Sequence, residues 1–172
     1  ATCVYNEHEL LLPIDRTDGT SVNFKGFIDM VIKSKTAAGK DVLYIIDFKS
    51  CSWGWGNDKR QDPDLHAQLL LYKHFFCKKF DLDPKFVRCA FVLLKKKPAK
   101  GADVVEFFPV SAGPVAVQRA IDNLNSDLTD IDSRMKTGEF IKNRDSCKDP
   151  YGGTCPYYNS THCPGTVESR KK

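Results

Sequence analysis

Two apolar runs early in the chain, Phe24 to Ile32 and Val42 to Lys49, have the pattern of neighbouring strands, and Gly39-Lys40 marks the turn between them. Each run is broken near its end by charge: Asp29 in the first, Asp47 and Lys49 in the second. Side chains two apart on a strand share a face. Asp47 and Lys49 therefore project together, while Ile46 and Phe48 are expected to point the other way into an apolar layer. On an exposed sheet an Asp-x-Lys pair is an ordinary solvated ion pair. Here Asp47 follows Tyr44-Ile45-Ile46, a stretch typical of a central strand, where a carboxylate needs a buried partner or a metal. Two carboxylates and an ammonium brought together by one hairpin can bind a hard divalent cation and activate water.

The remaining pattern predicts a first strand over Glu9 to Ile14, a loop over Cys51 to Asp62 and a helix over Asp64 to Phe80 that opens at Pro63 or Asp64. On that helix Gln68 and Tyr72 lie one turn apart and share a face. Strands are predicted over Phe86 to Leu94 and Val104 to Val110. Val117, Ala120, Ile121, Leu124, Leu128 and Ile131 recur at helical spacing within Val115 to Met135. Strands, helix, strands, helix is the order of an α/β fold with a mixed central β-sheet flanked by helices.

Composition adds bounds. The chain's 172 residues, 41% of them apolar, suffice for a single substantial core. The net charge of +4 is modest, but Lys78-Lys79, Lys95-Lys96-Lys97 and Arg170-Lys171-Lys172 are grouped. Such groups track a phosphate backbone or simply suit a helix end and a solvated tail. No segment is long enough to span a membrane, and Ala1 to Asn6 lack a signal pattern. Seven cysteines, an odd number scattered through the chain, argue for a reducing compartment, the cytoplasm or another reducing part of the cell. Cys77 and Cys89 read as buried thiols. Trp53 and Trp55 stand among glycines directly after Lys49, placed either to stack on bases or to pack beneath the sheet. Lys59 and Arg60 follow as phosphate contacts or plain surface charges. Cys147, Cys155 and Cys163, each separated by seven residues, fall in a helix-poor stretch that suggests a metal or three unliganded thiols.

Three of these elements, in this order, resemble the PD-(D/E)XK nuclease superfamily and within it the RecB-like exonucleases, including the CRISPR-associated RecB-type and phage exonuclease group. Gly26-Phe27-Ile28-Asp29 is similar to the family's GxxD, Asp47-Phe48-Lys49 to its (D/E)xK, and Gln68-Leu69-Leu70-Leu71-Tyr72 to its QxxxY on a helix. The resemblance implies a restriction-endonuclease-like core over residues 1–136 and an irregular cysteine-containing segment over 137–172. It implies Mg²⁺ or Mn²⁺ held by Asp29, Asp47 and the Phe48 backbone carbonyl, with Lys49, Gln68 and Tyr72 completing a catalytic set. Many relatives add a histidine from an N-terminal helix. No such helix is present in this sequence, so Glu9 is the substitute chosen, and a further N-terminal region or a protein partner is expected.

The resemblance further implies a 4Fe-4S cluster on Cys3, Cys147, Cys155 and Cys163. Zinc held by Cys147, Cys155, His162 and Cys163 is the alternative. The implied activity is metal-dependent hydrolysis of DNA, as an exonuclease on single-stranded or frayed duplex ends in recombination, repair, replication or CRISPR adaptation. The competing class is a catalytically silent nuclease-like module that binds DNA or a protein.

Overall fold

The computed structural model describes residues 1–16, 19–138, 147, 154–158, 160 and 161. It divides into two compact units, Ala1–Asp127 and Leu128–Lys172. The first unit is built on one five-stranded sheet: β1 (Thr2–Asp15), β2 (Ser21–Lys35), β3 (Asp41–Cys51), β4 (Val87–Lys95) and β5 (Val105–Val110), side by side in that order. The β3/β4 pair is parallel and the others are antiparallel. A parallel pair needs a crossover, and here it consists of the one-turn helix α1 (Asn57–Arg60) and the long helix α2 (Pro63–Phe80). A single 3-10 turn, Pro84–Phe86, leads into β4.

Helix α2 starts where its chemistry dictates. Asp62 caps it, its carboxylate accepting from the backbone N–H of Asp64 at 2.9 Å and Leu65 at 3.4 Å, with Pro63 in the first turn. One face buries Leu69, Tyr72, Phe75 and Phe76 against Leu10, Ile28, Val31, Ile45, Phe91 and Leu93 of the sheet. Each such side chain contributes about 1.5–3 kcal/mol when fully buried. Cys77 and Cys89 join this core, and burial pushes their thiols up to about 11 and about 12, so both are inert. Helix α3 (Pro114–Thr137) contributes the buried Ala120 and the half-buried Leu124.

The predicted strands and helices all form; β1, β2 and β3 run longer than the apolar pattern, while β4 and β5 begin one residue later than expected. β1 begins at Thr2 and not Glu9, because the β2 backbone offers partners as far as Lys33. α1 interrupts the segment expected to be a loop. Phe48 corrects the simple alternation: Ile46 is buried on its face, but Phe48 is exposed. It lies beyond Met30–Ile46, where the β2/β3 ladder ends, and the neighbouring strand no longer covers it.

That ladder end organises the molecule. β2 and β3 pair from Lys35–Asp41 down to Met30–Ile46 and then separate. On the other side of β2, the β1/β2 register passes from Asn6–Met30 to His8–Ile28, placing Glu7 across from Asp29. Glu7 has a φ of 49°, a left-handed conformation rare for a residue with a side chain. Backbone strain of this kind clusters at functional sites.

Candidate active site

Asp29 sits where the strands part. Its Oδ2 accepts the Phe48 backbone N–H at 2.7 Å, replacing the β2 carbonyl that a continued ladder would have supplied. In a strand the N–H and C=O of one residue point to the same edge, so the Phe48 carbonyl faces the same opened gap.

Asp47, one strand over, is 3% exposed. Its Oδ1 accepts from Gln68 Nε2 at 3.0 Å. Its Oδ2 lies 2.8 Å from Lys49 Nζ, an ion-pair contact, yet that buried oxygen has no aligned hydrogen bond. Lys49 instead donates to Gln68 Oε1 at 3.1 Å. Gln68 thus uses both ends of its amide, bridging the acid and the base of one strand, and Nε2 also lies 3.1 Å from the Tyr72 hydroxyl. The helical four-residue spacing brings the amide and the phenol together as expected.

Burial pushes the Asp47 carboxyl above its ordinary value. Lys49 pulls it back, the nearby Asp29 charge raises it again, and Gln68 pulls it back more weakly. The net upward direction means that the ionised carboxylate lacks sufficient positive charge around it.

Gly26 explains itself through Tyr72. A Cβ at this position would lie 2.6 Å from Tyr72 Cε1, so only a glycine lets the helix-borne ring close against β2. The first motif's glycine and the third motif's tyrosine are therefore two halves of one contact. A glycine inside an apolar strand was the signal for this close approach.

The other expected site residues divide. Trp55 does not stack on bases: it is buried against Phe91 and Phe108, with ring centroids 5.0 and 5.9 Å away. Apolar surface from β4 and β5 lies directly beneath its loop, and burial there outweighs exposure. Arg60 is likewise a brace. Its Nε donates to the Trp55 carbonyl at 2.9 Å, and its guanidinium pairs with Glu106, which also holds Lys95 at 2.8 Å. Lys59 is exposed and stands over the Trp55 ring at 5.3 Å. Trp53 remains outside, 73% exposed. Glu9 is ion-paired with Lys25 at 3.3 Å on the exposed face of β1, and it does not gather with Asp29 and Asp47.

Of the cysteines, Cys3 is exposed in β1 opposite Ile32. In the second unit the Cys155 backbone N–H donates to the Cys147 carbonyl at 2.9 Å. Cys163 and His162 lie outside the described residues. Among the described residues no group of three or more His, Cys, Asp or Glu side chains is arranged to hold a metal, so the cluster and zinc readings gain no support.

The donors of Asp29, Asp47 and Phe48 suit a different ion. Two carboxylates and a backbone carbonyl are hard oxygen ligands, and Mg²⁺ is commonly held by one or two carboxylates with water and substrate phosphate completing its shell. A buried carboxylate oxygen without an aligned donor, on an acid already pushed toward protonation, is a place where a cation lowers the energy of the site.

A sheet-borne carboxylate–lysine centre, backed by a helix-borne Gln–Tyr pair, defines an α/β core of the restriction-endonuclease-like kind. The model of the PD-(D/E)XK nuclease superfamily matches residues 3–164, and the chain belongs to that superfamily. Nucleases of this superfamily typically use divalent metals such as Mg²⁺. No curated protein matches the chain. Among the described residues, no helix is long and apolar enough to cross a membrane.

Proposed function

We propose that this chain is a Mg²⁺- or Mn²⁺-dependent deoxyribonuclease that hydrolyses phosphodiester bonds, acting as a RecB-like exonuclease on single-stranded or frayed DNA ends. The observation that carries the reading is the Asp47–Lys49–Gln68 triangle set beside Asp29 at the parted end of β2 and β3. Asp29, Asp47 and the Phe48 carbonyl would hold the metal. When bound, the ion supplies Lewis-acid polarisation of the phosphate and charge neutralisation.

The protein's own groups do the rest. Lys49, 30% exposed at its side chain and fixed by Asp47 and Gln68, presents an ammonium to the developing negative charge and orients the attacking water. Gln68 locks the lysine's position and keeps one oxygen of Asp47 engaged. Tyr72, only 8% exposed, holds the amide in turn. Asp29 fixes the Asp47–Phe48 peptide through its N–H, directly before the peptide that carries the Phe48 carbonyl.

The test is cleavage of end-labelled single-stranded and duplex DNA with Mg²⁺, Mn²⁺ or EDTA, for the wild type and Asp47→Ala. Metal-dependent degradation lost in the variant is expected, with a product ladder that starts at an end. Equal cleavage by Asp47→Ala would remove the reading. DNA binding without cleavage by the wild type would make the chain a silent nuclease-like module.

A further inference from the structure

Trp53 is the most exposed large ring of the first unit, and the fold holds it there. The loop on either side is fixed. The Ser52 carbonyl accepts from Lys97 N–H at 2.7 Å, and the Cys51 carbonyl from Lys96 N–H at 2.8 Å. Gly54, with φ at 131°, lies against Lys95 and Glu106, its would-be Cβ 3.5 Å from the Lys95 side chain. Trp55 is anchored between Phe91 and Phe108, and its carbonyl is held by Arg60. A free loop could fold its indole onto the protein. This one is pinned at residues 51, 52 and 55, and the indole stays in solvent. Exposing so much apolar surface gains the fold nothing.

The same backbone bonds bring a charge group alongside the loop that carries the indole. They extend the parallel β3/β4 pairing past both strand ends, so the Lys95-Lys96-Lys97 run lies alongside Cys51-Ser52-Trp53. Lys95 is spent on Glu106, but Lys96 and Lys97 are exposed and make no ion pair among the described residues. The group stands at the carboxyl ends of β3 and β4, as Asp47 and Lys49 do. Four residues of chain span at most about 14 Å, which bounds the distance between Lys49 and Trp53 along the backbone.

From this arrangement we infer that Trp53, Lys96 and Lys97 form a strand-guiding subsite for single-stranded DNA. The indole stacks on a base a few nucleotides from the scissile phosphate, and the two ammonium groups track the backbone. Stacking needs an unpaired base, since a duplex presents its base faces only to each other, whereas lysines alone would serve either form. The inference rests on the nuclease reading for its orientation toward Asp47, but its test does not depend on cleavage.

The experiment is equilibrium binding of a labelled oligothymidylate and a blunt duplex to the Asp47→Asn protein, with and without Trp53→Ala, Trp53→Phe or Lys96→Ala/Lys97→Ala. Trp53 and Trp55 are the two tryptophans of the chain, and only the first is in solvent, so intrinsic emission gives a second readout. Expected are quenching of the exposed emission by the single strand and a roughly 5- to 100-fold weaker Kd in Trp53→Ala. Trp53→Phe is expected to recover most of that affinity, while duplex binding changes little. In the double lysine variant the slope of log K against log salt should fall by about 1.4. Unquenched emission, or Trp53→Ala binding the single strand like its parent, overturns the subsite. So does an equal loss on duplex, or no binding by the parent. Continued cleavage by Asp47→Asn would instead count against the catalytic reading and leave these binding outcomes to be judged separately.

Discussion

Asp41 and Asp47 stand six residues apart on the same strand, each beside lysine, and the fold treats them oppositely. Asp41 closes the outer end of the β2/β3 ladder. It is exposed and sits 2.7 Å from both Lys33 and Lys35, which hold its carboxyl down at about 2. Asp47 stands past the inner end of the ladder, buried, with one lysine beside it and Asp29 nearby, and its carboxyl is pushed up. The same pair of residue types is a satisfied surface contact in one place and an under-neutralised charge in the other. Water solvates the first; burial leaves the second short of positive charge.

The widest separation between the two ends comes from neutralising each in turn. Asp47→Asn is expected to lower metal-dependent cleavage at least about a thousand-fold, whereas Asp41→Asn should leave the cleavage rate at its wild-type value. The same pair of variants can be read without substrate. Mg²⁺ or Mn²⁺ should raise the melting temperature of the wild type and of Asp41→Asn over that in EDTA, and should not raise that of Asp47→Asn. A metal-induced shift that survives in Asp47→Asn would place the ion elsewhere. Lys49→Ala is expected to cost about 10² to 10³ in rate through the loss of a positioned ammonium, measured at saturating metal so that altered affinity for the ion does not enter.

The elements of the candidate site were readable in the sequence, and their joinery was not. Asp29, Asp47 and Lys49 announced themselves as charges in apolar runs, and Gln68 and Tyr72 as a helical pair, because alternation and helical period are local properties. The parting of β2 from β3 after Met30–Ile46 is a property of pairing between strands, and no single run displays it. Hence the Asp29 contact to the Phe48 backbone, the exposure of Phe48 and the irregularity at Glu7 emerged only in three dimensions. Trp53 and Trp55 show the same limit. With identical side chains and nearly identical neighbours, only the position of Phe91 and Phe108 under the loop decides which one is buried.

Smaller effects probe the contacts that brace the catalytic end. Gln68→Ala removes the bridge between Asp47 and Lys49 and is expected to cost about 10- to 100-fold in activity, the usual scale for a group that orients a metal ligand. Its fold should persist, checked by a cooperative melt in EDTA whose midpoint falls by a few degrees because the buried Asp47 Oδ1 loses its donor. Gly26→Ala forces the new methyl against the Tyr72 ring and should destabilise the protein by about 1–3 kcal/mol. Tyr72→Leu in the same chain relieves that overlap, so denaturant melts of the two single variants and the double should be non-additive. Strict additivity would mean that the backbone, and not the ring, absorbs the methyl.

The smallest expected effect lies in the pH dependence of stability, where the two aspartates should differ in sign. Asp41 has a folded value held below that of the unfolded chain. Its contribution is therefore present above the ordinary carboxylate range and lost as pH falls toward about 2. Asp47 has a folded value raised above the unfolded one, so the metal-free protein loses stability as pH rises through the interval between them. In EDTA, Asp41→Asn should match the wild type in strong acid and be the less stable protein at neutral pH. Asp47→Asn should lack the wild type's loss on going from acid to neutral pH and become the more stable of the two there. Melts across that range, repeated with Mg²⁺, check the signs directly: the cation should erase the Asp47 difference and leave the Asp41 difference untouched. An Asp47→Asn variant that is less stable than the wild type at neutral pH in EDTA would show that Lys49 and Gln68 already satisfy the carboxylate, and that the site has no unmet need for a metal.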